Sequence, residues 1–396
     1  MSVKSEVTRL SNAKAAIASA ITAKGVTVPS TTKLDGMAPL IARILVAAAP
    51  GEDPPSSTAL SSGASATALT NARNAISSCN FNNKYAMFAG GYSASLSYSN
   101  NLDAYTPSLT KISKTTSSSG GRRYGAMAST VSHCIYTSGS GTDSTHTYCF
   151  DENLTQSSIQ SNTTDDILYG MNKSGCSLGT GAFFAGGQVT DWSAMLSTAG
   201  MLNENLTRVV FENLSAARQE GAAASVNKEY AIYAGGTNTA ASAVVDCYDV
   251  NGTHTVLTSL RTAKNRLAGA EKYNAAFFAG GYGTAFSNQV DIYNQNLTLS
   301  SGTGLSEGKY LMAAGSFDYG CVFAGGFKST TAPSTYCDFY NNNHTKSSAS
   351  GLTAVHGWCG GATVKRKFIV AGGTTKVSSG TESKLVKAFN YSETFS

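Results

Sequence analysis

The fold class this sequence predicts is all-β: a closed ring of seven four-stranded sheets, carried behind a short α-helical N-terminal segment. Three observations predict it. An apolar run ending in a glycine pair recurs along the chain. Each run is followed by a residue, usually aromatic, that leads into an Asn-rich turn and a Thr. The interval between copies is nearly constant, and fixed-period self-similarity is the mark of a repeat architecture.

Composition agrees. Charged residues make up 13% of the 396, while Gly contributes 40, Tyr 19 and Phe 16. Such a chain suits short strands and tight turns. Its 41% hydrophobic content is enough for a core, which excludes a disordered chain. The net charge of +5 comes without a Lys/Arg block, so no nucleic-acid footprint is expected. No apolar run reaches the about 18 residues of a membrane span. Lys4, Glu6, Arg9 and Lys14 interrupt the first apolar positions, so no signal peptide is expected. The eight cysteines form no CxxC pair and read as buried free thiols, which fits synthesis in a reducing cytoplasm.

Residues 1–50 read as a helical attachment or oligomerisation segment. Leu10, Ala13, Ile17, Ala20 and Ile21 lie at helical spacing up to a cap at Gly25, and Met37, Leu40, Ile41 and Ile44 mark a second short helix. Pieces this short need a partner for their apolar stripes, either another chain or the ring itself. Residues 51–60, with Gly51, Pro54, Pro55, Ser56 and Ser57, read as a linker.

The repeats occupy 61–396. Glycine pairs fall at Gly90-Gly91, Gly186-Gly187, Gly235-Gly236, Gly280-Gly281, Gly325-Gly326 and Gly372-Gly373, with Ser138-Gly139 a degenerate copy. The intervals between the last glycines are 48, 48, 49, 45, 45 and 47. The second motif starts at Tyr105, Phe150, Leu202, Tyr248, Tyr293, Tyr340 and Phe389, and its Asn-rich turn reads as a hairpin. A third mark is a basic position: Arg73, Arg122, Arg218, Lys264, Lys309 and His356, with Asp166 in the slot of the third copy. Each repeat therefore holds four strands, a to d. Strand b ends in the glycines and strand c carries the aromatic. A lone four-stranded sheet leaves both faces wet, and packing seven around an axis buries them. The last copy lacks most of its strand d, and Ser62–Thr70 aligns with the strand d copies, so an early strand is expected to close the ring.

Four strands in about 50 residues, marked by the glycine pair and a later Tyr, resemble the kelch repeat, which implies a seven-bladed kelch-type β-propeller. The string from Arg9-Leu10-Ser11-Asn12-Ala13-Lys14 through Lys24-Gly25-Val26-Thr27-Val28-Pro29 to Lys33-Leu34-Asp35-Gly36-Met37 resembles the N-terminal region of some bacteriophage tail and fibre proteins. That resemblance implies a virion protein made in the host bacterial cytoplasm. It implies attachment to other tail proteins through residues 5–46, a homo-oligomer (a trimer by preference), and a host-surface glycan or protein as partner.

In an up-and-down blade the b–c and d–a loops emerge on one side of the disc. Length variation concentrates in the b–c loops, where scaffolds carry recognition. Tyr92, Tyr98, Trp192, Tyr282, Phe286 and Phe327 are candidate contacts there, or else they cover blade edges. The basic positions fall on the same side. They either attract an anionic glycan by their summed field or bond loop carbonyls within the repeat. The five histidines show no ligand spacing and no nucleophile elbow appears, so neither a metal, a cofactor nor an enzyme activity is expected.

Overall fold

A computed structural model describes residues 14–15 and 57–394, apart from 96, 117–119, 161–165, 273 and 354–355. The helical reading of residues 1–50 and the start of the linker lie outside the described residues, since 14 and 15 alone are too few to define an element.

Seven blade sheets follow one another along the chain, each antiparallel in the order a-b-c-d, with three two-stranded sheets beside them among the described residues. In blade 1 the strands are Ser77–Phe81, Tyr85–Ala89, Asn101–Tyr105 and Lys111–Thr115. Strand a of the later blades is Ala126–Ser129, Ser174–Leu178, Ala222–Val226, Ala268–Lys272, Ala313–Phe317 and Gly360–Val364. Each strand a packs on the next around the axis, and Gly360–Val364 packs on Ser77–Phe81, so the ring is closed. The chain is a seven-bladed β-propeller.

Residue size decides the order of strands. Strand a is rich in Gly, Ala and Ser because the wedge is narrowest at the axis. A Cβ added to Gly269 would lie 2.5 Å from the Ala223 carbonyl of the blade before it. Strand b sits where the wedge widens and carries bulk, as in Tyr85-Ala86-Met87-Phe88 and Ala182-Phe183-Phe184, all buried. The buried apolar side chains fall into seven clusters, one at each interface between neighbouring blades. Each fully buried Phe in them contributes about 1.5–3 kcal/mol.

The ring closes as a latch. Ser57–Leu60 and Ala64–Ser65 pair antiparallel with the last strand, Val386–Thr394, and stand in for the missing strand d of blade 7. The latch starts earlier than its sequence alignment indicates: Ser57–Leu60 lies within the stretch read as linker. Its alternation is the reason. Thr58 is buried and its hydroxyl donates to the Tyr319 carbonyl at 3.3 Å, and Leu60 packs on the cluster between blades 6 and 7. The Ser/Pro-rich composition around it hides that period.

The seam matches internal seams. Tyr105 donates its hydroxyl to the Thr67 carbonyl at 2.8 Å across the closure, as Tyr340 does to Thr303 at 2.7 Å between blades 5 and 6. The glycine pairs serve the same contacts. Gly373 N–H donates to the Arg73 carbonyl at 2.9 Å, and a Cβ on left-handed Gly372 would sit 2.6 Å from that oxygen. A residue without a side chain suits this close approach, and blade 2 makes it with left-handed Ser138 in the first position.

Candidate functional site

The b–c and d–a segments do share one side of the disc. Short bridges join them blade by blade, as Asn74 with Tyr92, Gln219 with Thr237, Asn265 with Tyr282 and Tyr310 with Phe327. Three tiers lie here.

The innermost tier holds the repeated basic residues. Arg73, Arg122, Arg218, Lys264, Lys309 and His356 are all buried, at 0–1% exposure. Each reaches into its own blade. Arg73 meets Asp103 at 2.9 Å, Arg218 meets Asp246 at 2.6 Å, Lys264 meets Asp291 at 2.7 Å and Lys309 meets Asp338 at 2.9 Å. These aspartates stand two residues before the strand c tyrosine, giving an Asp-x-Tyr motif in blades 1, 4, 5 and 6. They also hold the chain entering the blade: Asp103 accepts from the Thr70 N–H at 3.0 Å, and Asp246 from the Ser215 N–H at 3.0 Å. Burial pushes the Asp103 carboxyl up, but Arg73, Thr70 and Ser113 outweigh it and hold it below its ordinary value.

The other three blades keep the arrangement balanced by different residues. In blade 2 Tyr148 takes the aspartate position, and Asp143, outside the strand, faces Arg122 at 3.4 Å. In blade 7 the aspartate position is Lys387 and the cation is replaced by His356, whose Nδ1–H donates to the Gly372 carbonyl at 2.9 Å. In blade 3 the position is Gly200, and the buried amine comes instead from Lys173, which donates to the Gly186 carbonyl at 2.7 Å and Thr198 Oγ1 at 2.9 Å. Burial without a contacting carboxylate drives the Lys173 amine down to about 7. The ligand-contact reading of the six basic residues is therefore corrected. They are spent on the blades, because a buried guanidinium or ammonium needs its partner at hand.

The second tier is a ring of backbone at the axis. Two residues beyond the six basic positions, and beyond Gly170 in blade 3, stand Ala75, Tyr124, Asn172, Glu220, Arg266, Leu311 and Trp358, all left-handed with φ between 51° and 60°. Six hydrogen bonds link them nose to tail. Asn172, Glu220, Arg266, Leu311 and Trp358 each donate N–H to the carbonyl of the member before, and Ala75 to Trp358, at 2.8–3.3 Å. Left-handed backbone is uncommon outside Gly and Asn and persists where surroundings impose it.

The third tier is the rim that meets solvent. Tyr124 stacks on Trp358 at 5.4 Å and meets Trp192 edge-on at 6.4 Å. Arg266 Nε pairs with Glu220 at 2.9 Å beside them. A second aromatic cluster joins Tyr282, Phe286 and Tyr310 at 5.2–6.1 Å between centroids. Trp192 is 53% exposed and Tyr282 40%, while Tyr92, Tyr98 and Phe286 are half-buried. Trp192 is exposed yet held: its N–H donates to the Val189 carbonyl at 2.9 Å and its carbonyl accepts from Gln188 Nε2 at 3.2 Å. Phe327 is corrected from rim contact to core. It is fully buried beside Tyr310, and its ring lies 2.2 Å from where a Cβ on Gly357 would be.

Sequence reasoning missed Tyr124, Trp358 and Arg266. A signal existed for them, since they share one offset from the basic positions, but their types differ from blade to blade. Among the described residues no group of three or more His, Cys, Asp or Glu gathers to hold a metal, and no helix is long and apolar enough to cross a membrane. Set against known protein families and curated proteins, the chain matches none.

Proposed function

We propose that the protein is a bacteriophage tail or fibre component, residing in the virion, that displays its propeller for binding to a host-surface glycan or protein. Binding rather than catalysis is the task. One observation carries this reading: exposed Trp192 and Tyr282 and half-buried Tyr124 and Trp358 gather on the side where loop length varies. Aromatic faces bury apolar area at low entropic cost, and rigid presentation reduces what binding must spend on ordering. The kelch-type motif spacing supports a display scaffold. The N-terminal likeness to phage tail and fibre proteins supports attachment of residues 5–46 to other tail proteins and a trimeric assembly.

A glycan array probed with the full chain tests the reading. Saccharide binding that Trp192→Ala abolishes while the melting point stays put is the expected result. A chain that binds no saccharide or host-cell surface, and sits buried within the imaged particle, is instead a structural decoration of the virion.

A further inference from the structure

Arg122 and Arg123 lie side by side in one short strand that pairs with Ser140–Gly141. Successive side chains on a strand leave on opposite faces. Arg122 enters blade 2 and meets Asp143, whereas Arg123 goes to the rim. Its guanidinium carbon lies 4.8, 5.7 and 4.6 Å from the ring centroids of Tyr92, Tyr98 and Tyr124. Tyr124 in turn touches both Trp358 and Trp192, so the cation and the exposed indole belong to one continuous patch.

What sets Arg123 apart is its missing counter-ion. Every other described arginine faces a carboxylate, down to the surface pair Arg366–Glu393 at 2.8 Å. Arg123 faces none among the described residues, and its Nε is buried with no hydrogen-bond partner. A guanidinium boxed by aromatic rings is held in place, and its two terminal amino groups can grip a two-oxygen acceptor. The neighbouring indole offers a surface for the apolar face of a sugar ring.

We propose that this rim takes an acidic saccharide, with the carboxylate of a sialic or uronic acid on Arg123 and the pyranose against the Tyr124–Trp192 surface. The assignment rests on the glycan-binding reading above and narrows it to one class. The guanidinium fork matches the two oxygens of a carboxylate, and the phosphorylated arm of the test separates this acceptor from phosphate. The buried ring of cations plays no part in it.

The test uses the full chain on an array of polysialic acid and oligogalacturonate fragments. It includes their carboxyl-reduced forms and a phosphorylated lipopolysaccharide core. Binding of the carboxylate forms over the reduced forms is expected. Arg123→Gln should lower that binding about tenfold to a hundredfold, as loss of a charge-assisted bidentate contact does. Arg123→Lys keeps the charge without the fork and should recover part of it; if the Gln variant fails to fold, the Lys variant alone must still show the loss. Equal binding of acidic and reduced sugars overturns the inference and leaves the glycan-binding reading standing. So does Arg123-dependent binding confined to the phosphorylated core, which replaces carboxylate by phosphate. No binding to any sugar removes both readings.

Discussion

Arg122 and Arg123 are neighbours in sequence and inhabit different regions of the molecule. Arg122 belongs to a buried tier in which each blade supplies a basic side chain and nearly always its own acceptor. Arg123 belongs to a rim in which aromatic and charged groups reach solvent. The buried tier repeats with the blades and adjusts when one partner changes, as His356 with Lys387 and Lys173 with Gly200. The rim does not repeat: its aromatics lie in loops that vary between blades, and the residues of the left-handed backbone ring beside them differ from blade to blade. A repeated residue serves the repeat, and departures from the repeat are where a repeat protein can carry a specific task.

The largest expected effect falls on the buried tier. Asp246→Ala leaves Arg218 charged and buried without its carboxylate, and should cost about 3–5 kcal/mol in chemical denaturation. A loss under 1 kcal/mol would mean that this tier does not hold the blades.

Lys173 gives the buried tier a pH signature. Its amine titrates near 7 in the fold, against an ordinary value of 10.5. Between those values the unfolded chain holds the extra proton, so stability rises with pH across that window, by up to about 1.4 kcal/mol per pH unit. Below about pH 7 the cost of burying the charge is fully present. Lys173→Met should flatten this slope; urea midpoints at pH 6.5 and 9 that shift alike in both proteins would remove Lys173 as its source.

Smaller effects probe the closure. Tyr105→Phe crosses the latch and Tyr340→Phe an internal seam, with the same bond to a carbonyl just beyond strand d. Both should cost about 1 kcal/mol. A much smaller loss for Tyr105→Phe would mean that the latch is weaker than the seams it imitates. Smallest of all is Tyr282→Ser on the rim, expected to change stability by about 0.5 kcal/mol or less in the same assay.

Much of the fold was legible because the demands of a wedge repeat. Gly372-Gly373 and its counterparts recur where the next blade approaches, with Ser138 in place of the first glycine in blade 2, so their spacing counts the blades. The missing strand after Val386–Thr394 pointed to the latch, although Thr58 and Leu60 lay concealed in a Ser/Pro-rich stretch. The site was less legible. Asp-x-Tyr is broken in blades 2, 3 and 7, so the partners of the basic residues did not stand out as a motif. Phe327 and Tyr282 occupy the same place in their blades, yet one is buried, with its ring packed against Gly357, and the other is exposed. The axial ring has no residue signature at all, since its geometry is imposed on Ala75, Tyr124, Leu311 and Trp358 alike.

The division between the two tiers is tested most directly by one paired denaturation experiment on Arg218→Ala and Trp192→Ala. Arg218→Ala should unfold at a clearly lower denaturant concentration, by about 3–5 kcal/mol, while Trp192→Ala unfolds with the wild type. Equal midpoints for all three proteins, or a destabilised Trp192→Ala beside an unchanged Arg218→Ala, would contradict it.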